Sequence, residues 1–94
     1  MTALIIIGDA LDKLKEQPSE FYKLVITSPP YNLGKEYETK QKLEEYLEWQ
    51  ALVIEQVART VSQDGSVVWQ VGNFVQDGEI FPLDMYFYPI FKQF

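Results

Sequence analysis

The sequence predicts an α/β fold built on a mainly parallel sheet. Three short apolar runs, each ending in a polar or conformationally special turn, alternate with three segments of helical periodicity. That alternation is the pattern of strands laid side by side with helical crossovers between them. In such sheets ligands sit beyond the carboxyl ends of the strands.

Leu4-Ile5-Ile6-Ile7 is continuously apolar, rich in β-branched residues, and stops at Gly8-Asp9, so it reads as a buried strand. Asp9 can cap a short helix over residues 10–17, where Leu11 and Leu14 share a face and Pro18 forbids extension. Residues 22–27 (Tyr-Lys-Leu-Val-Ile-Thr) form the second strand, closed by Ser28-Pro29-Pro30, because proline cannot extend a central ladder.

The longest regular signal runs over residues 39–62. Leu43, Tyr46, Leu47, Ile54, Val57, Ala58 and Val61 recur at helical spacing, with Thr39 as the cap and Asp64-Gly65 as the stop. Residues 66–71 (Ser-Val-Val-Trp-Gln-Val) are the third strand, ended by Gly72-Asn73. A loop holding Asp77-Gly78 leads to a last aromatic-rich helix over residues 83–94, interrupted at Pro89. The three strand ends, at Gly8-Asp9, at Ser28 to Tyr31 and at Gly72-Asn73, are expected on one edge. Taken singly, Gly-Asp and Gly-Asn are more often plain turn formers.

Composition narrows the chemistry. The chain is 47% apolar and 23% charged, which is globular rather than disordered. At 94 residues it makes one small domain that buries about 60–65% of its unfolded surface. It has no cysteine and no histidine, which removes disulfides, histidine triads and cysteine-nucleophile methylation of a ring carbon, and argues strongly against a zinc site. The absence of cysteine fits a reducing cytoplasm, and the first residues carry neither a basic signal region nor a membrane-spanning run. A net charge of −6 makes these residues poor non-specific binders of nucleic acid, so a basic, sequence-reading part would have to lie elsewhere.

Ser28-Pro29-Pro30-Tyr31 suits one kind of reaction. An exocyclic base amine is a poor nucleophile because its lone pair is delocalised into the ring. Two acceptors on its two N–H bonds would aim that lone pair at a methyl donor. Ser28 offers a side-chain acceptor, Pro29 a carbonyl of fixed direction, and Tyr31 a face on which a flipped base can stack. Such catalysis is mainly positioning. An ordinary strand-ending turn, or a polyproline stretch, explains the four residues alone about equally well. The preceding strand and the following helix and strand shift the balance.

With Gly8-Asp9-Ala10-Leu11, Tyr46-Leu47-Glu48-Trp49, Asp64-Gly65-Ser66 and Val71-Gly72-Asn73 added, the chain resembles the amino-terminal part of a β-class site-specific DNA amino-methyltransferase over nearly its whole length. The resemblance implies a partial Rossmann-like methyltransferase fold, with residues 1–94 as one partial catalytic domain. It implies catalytic roles for Ser28, Pro29, Pro30 and Tyr31, and cofactor contacts from Asp9 and Asn32 to S-adenosylmethionine. The target would be cytosine N4 or adenine N6. Serine at the first motif position is commoner among cytosine enzymes, although some adenine enzymes share it.

Two family elements are missing. The Phe-x-Gly-x-Gly loop that wraps the methionine end of the cofactor does not occur in the sequence, nor does a recognition region. The family sheet places two strands between those ending at Gly8 and at Ser28. A chain without them is expected to close the gap by rearranging, to form homo-oligomers through exposed sheet edges, or to need a complementing chain, with DNA as partner of the complete enzyme. A non-catalytic structural remnant and a base-binding module are the alternatives. Tyr86, Phe87, Tyr88, Phe91 and Phe94 form either a contact surface or a core helix.

Overall fold

The computed structural model describes residues 3–29 and 43–94. Its elements are α1 (Ala10–Lys15), β1 (Tyr22–Thr27), α2 (Leu43–Thr60), β2 (Val61–Trp69), β3 (Asn73–Gln76), β4 (Glu79–Pro82) and α3 (Leu83–Lys92). β1 and β2 pair in parallel, and β3 and β4 form a separate antiparallel pair. The α/β class therefore holds, with two parallel strands where the sequence suggested three.

The correction falls on residues 4–7. They form no strand, and Leu4, Ile5 and Ile7 are more than 80% exposed. β-branched side chains favour an extended backbone, but a strand also needs a neighbour for its ladder, and among the described residues this run has none. Ile5 lies on no strand while Val25 pairs with Val67, so the described residues do not close the expected gap by rearrangement.

α1 begins as the sequence suggests. The Asp9 carboxylate accepts a hydrogen bond from the Asp12 N–H at 3.1 Å, satisfying one of the free donors of the first turn. The helix ends at Lys15, two residues before the expected limit. Its link to β1 is tied down by Arg59, near the end of α2. That guanidinium donates to the carbonyls of Leu14 at 2.8 Å and Gln17 at 2.9 Å and to the Ser19 hydroxyl at 2.9 Å.

α2 buries Tyr46, Gln50, Ile54, Val57 and Thr60, one face at spacings of four, four, three and three. It packs on α1, α3 and β2. Its expected stop is wrong: the helix gives way to β2 directly after Thr60, and Asp64-Gly65 lies inside the strand. The register explains why. Tyr22 sits opposite Val61 but Leu24 opposite Ser66, so β2 carries extra residues against β1 and bulges there.

Gly65 in the bulge lies against the β1 backbone. A Cβ there would stand 2.8 Å from the Lys23 carbonyl oxygen and 3.0 Å from that of Tyr22. Neither oxygen can yield without moving the strand. Gly65→Ala is expected to cost roughly 1–3 kcal/mol by overpacking, read as a lower urea midpoint with an unchanged slope. An unaltered midpoint would show that β2 does not hold this register in solution.

The bulge also sets a charge pair. Asp64 accepts hydrogen bonds from the Lys23 ammonium and from the Ser62 hydroxyl at 2.9 Å. The ammonium first, and the hydroxyl and backbone after it, hold the Asp64 carboxyl below the ordinary carboxylate range. A depressed folded value stabilises the fold above the unfolded value and is lost as pH falls through the folded one. Both side chains are exposed, so the effect on stability is small. Carboxyl NMR should find the Asp64 midpoint low, and rising after Lys23→Gln. Equal midpoints in the two proteins would refute the pairing.

The Asp77-Gly78 loop proves to be a hairpin turn. Asp77 at φ 52° and Gly78 at φ 79° both have left-handed backbone, as a two-residue turn between right-twisted strands requires. Phe74 faces the core while Val75 and Ile80 are exposed. α3 then runs from Leu83 to Lys92 without a break at Pro89. The exposed proline ring forfeits one helical hydrogen bond, which the packing beneath outweighs.

That packing is the core. Tyr46, Ile54, Phe74, Leu83 and Phe87 are buried, with Trp69, Val71, Ile90 and Phe91 packed against them. Phe87 meets Tyr46 and Trp69 edge-on at 6.0 Å, and Trp69 meets Phe91 at 5.3 Å. Of the terminal aromatics, Phe87 is core, Phe91 is half-buried, and Tyr86, Tyr88 and Phe94 are exposed.

Candidate functional site

Parallel pairing with Thr27 opposite Trp69 brings the ends of β1 and β2 to one edge. The Gln70 N–H donates to the Thr27 carbonyl at 2.9 Å, continuing the ladder to the last residue of β1. Ser28 and Pro29 follow at once. Ser28 is exposed, with no hydrogen bond to another described side chain, and Pro29 is buried. The motif thus begins with a polar group turned to solvent and a rigid residue anchored in the protein. Pro30, Tyr31 and Asn32 lie outside the described residues.

Pro29 lines a hollow of about 510 Å³. One wall is β1, a second is Ala10, Lys13 and Leu14 of α1, and a third is Gln50, Val53 and Val57 of α2. Trp69 closes the end where the strands stop. Asp9 caps the helix of the second wall, and no pairing among the described residues carries Gly8-Asp9 alongside Ser28 as a third strand end.

Two buried polar atoms near this end have no hydrogen-bond partner among the described residues: the Gln50 side-chain oxygen and the Trp69 indole nitrogen. Gln50 is 1% exposed. A buried acceptor left unpaired loses its water without compensation, so it marks a place where something else belongs. Reading the sequence missed Gln50, although the signal was present: it continues the i, i+4 line from Tyr46 to Ile54 and is the polar residue on that buried line before Thr60. Trp69 could be placed on a strand but not at the end of a cavity.

Nothing here gathers metal ligands: no group of three acidic, histidine or cysteine side chains occurs among the described residues. Nor is any described helix long and apolar enough to cross a membrane.

A profile of DNA methylases of the N6/N4 type matches residues 22–93. The type II methyltransferase M.BglII of Bacillus subtilis is 46% identical over 86 residues, which are 90% of this chain and 24% of that protein. The DNA adenine methyltransferase YhdJ of Escherichia coli K12 is 36% identical over 66 residues, covering 67% of this chain and 22% of that one. Among solved structures, the cytosine-N4-specific PvuII DNA methyltransferase superposes with a TM-score of 0.67 at 30% identity, over 93% of this chain and 31% of its own. The chain spans about a quarter of the length of the curated relatives it matches.

Proposed function

The chain belongs to the N6/N4 DNA methylase family, and on that premise we propose that it is the part of such an enzyme that holds a base amine for methylation. Residues 1–94 are then one partial catalytic domain. The observation that carries this reading is the pairing of an exposed Ser28 with a buried Pro29 at the carboxyl end of β1. Ser28 accepts one N–H of the exocyclic amine through its side-chain oxygen, and the Pro29 carbonyl accepts the other. The proline ring and the ladder bond at Thr27 limit how far that carbonyl can swing. Tyr31 stacks on the base once it leaves the duplex, and Pro30 stiffens the turn between them.

S-adenosylmethionine, which the family implies, supplies the methyl group as a sulfonium. The residues present do not by themselves fit it. One carboxylate oxygen of Asp9 is engaged on the first turn of α1, and the sequence has no glycine-rich loop for the methionine end. Asp9 and Asn32 are kept as contacts made only when a complementing chain completes the cofactor site. The same incompleteness leaves DNA as a partner of the whole assembly, since a net charge of −6 gives this chain little hold on phosphates. Cytosine N4 is the first target to test, because Ser28 matches the commoner motif of that class and the PvuII relative carries that specificity. The adenine-specific relative keeps adenine N6 as the second.

The test is reconstitution. This chain is mixed with M.BglII lacking the segment it matches, with S-adenosylmethionine and duplex DNA, and the nucleosides are then analysed. N4-methylcytosine or N6-methyladenine formed only when both chains are present supports the proposal and identifies the base. No methylated nucleoside from a mixture shown to be complexed would leave the chain a structural remnant.

A further inference from the structure

α1 forms one wall of the 510 Å³ hollow through Ala10, Lys13 and Leu14, with Val53 and Val57 of α2 in another. It is six residues long and none of its side chains is buried; Leu11, Lys13 and Leu14 are half-buried. A helix this short gains little from its own hydrogen bonds, since isolated helices are marginal below about 12–15 residues. Its position therefore depends on what fastens it to the rest of the fold.

The fastening sits at one end. The Arg59 Nε–H donates to the Gln56 side-chain oxygen at 2.8 Å, one turn back on α2, which fixes the plane of the guanidinium. Its other N–H groups reach the Leu14 and Gln17 carbonyls and the Ser19 hydroxyl, all at or beyond the last turn of α1. Just past these three acceptors the chain passes through Glu20 at φ 52°. A glutamate holds that left-handed conformation only where its surroundings impose it. Here the Glu20 N–H donates to the Arg59 carbonyl at 2.9 Å, and the Phe21 N–H to that of Thr60 at 2.8 Å. Toward the other end residues 3–10 are exposed, and the bonds that Asp9 accepts come from Asp12 and Lys13 of α1 itself.

We propose that α1 is a gate on the hollow. It swings about the Glu20 turn when the Arg59 guanidinium releases it, while α2 and the β1–β2 pair stay formed. The Glu20 and Phe21 backbone bonds keep the hinge in place, and the guanidinium is the latch. Opening uncovers Val57, which is 2% exposed with the gate shut. Elements with few buried contacts open locally at a fraction of the free energy of global unfolding.

Native-state hydrogen exchange followed by NMR tests the gate. Amides of residues 13–17 are expected to exchange about 100-fold or more faster than those of residues 50–57, at rates that low urea concentrations leave unchanged. Arg59→Lys keeps the charge but has no planar fork to span three acceptors, and should speed residues 13–17 about tenfold. Ser19→Ala, which removes one acceptor at an exposed position, should speed them about threefold. A Val57→Cys thiol, unique in this chain, reports the opening directly. A maleimide should label it at a rate that low urea leaves unchanged and that Arg59→Lys raises about tenfold. Ile54→Cys, in the core and off the hollow, should react only through global unfolding.

Exchange of residues 13–17 that rises with urea in step with residues 50–57 would make α1 part of one cooperative unit and overturn the gate. Fast exchange that neither Arg59→Lys nor Ser19→Ala alters would be fraying of the helix, and the latch would be wrong. A Val57→Cys thiol as slow as Ile54→Cys would also sink the proposal.

Discussion

Ser28→Ala is expected to lower methyl transfer by the reconstituted pair about 100-fold or more, with little change in the stability of this chain. The magnitude follows from removing one of two positioned hydrogen-bond partners of a reacting group, an effect typically worth about 10²–10³ in rate. Ser28 is exposed and makes no hydrogen bond to another described side chain, so the fold loses almost nothing. The loss should lie in kcat rather than in KM for DNA, because the contact aligns the amine at the moment of transfer. Ser28→Asp keeps an acceptor and should retain more activity than Ser28→Ala. If the alanine variant kept full activity, the Ser28 hydroxyl would not be one of the two acceptors.

The second large effect is structural. Phe87→Ala should cost about 3–5 kcal/mol, the usual range for removing a large buried aromatic side chain. Phe87 is 2% exposed and stands between Tyr46 of α2 and Trp69 of β2, so its loss opens a cavity where helix, helix and strand meet. Domains of this size have only about 5–15 kcal/mol in total. The variant is therefore expected to lose its cooperative urea transition or to melt far earlier. Met85→Ala on the same helix, at a position 69% exposed, is the control and should leave the midpoint where it was. A Phe87→Ala midpoint equal to that control would mean that α3 does not pack on the sheet in solution.

Much of this was legible in the residues, for reasons that can be named. α2 was readable because eighteen residues repeat one apolar face. β1 was readable because a β-branched run meets two prolines. The Ser28-Pro29-Pro30-Tyr31 motif stands out because few residue types can present two fixed acceptors and a stacking face together. The errors share one cause. Residues 4–7 have strand character but no ladder partner among the described residues, Asp64-Gly65 serves a bulge rather than a helix end, and Asp77-Gly78 turns a hairpin that the aromatics hold down. Each depends on what lies across the fold, and local propensity is silent about that.

The sequence by itself determined the α/β class and the family, because periodicity and a short motif act over a few neighbouring positions. Tertiary structure decided the rest. Parallel pairing of β1 and β2 brought Ser28 and Trp69 to one edge, and the packing of α2 buried Gln50 at the wall of a hollow beside β1. Burial and pairing are properties of surfaces brought together from distant parts of the chain, which no run of adjacent residues can specify.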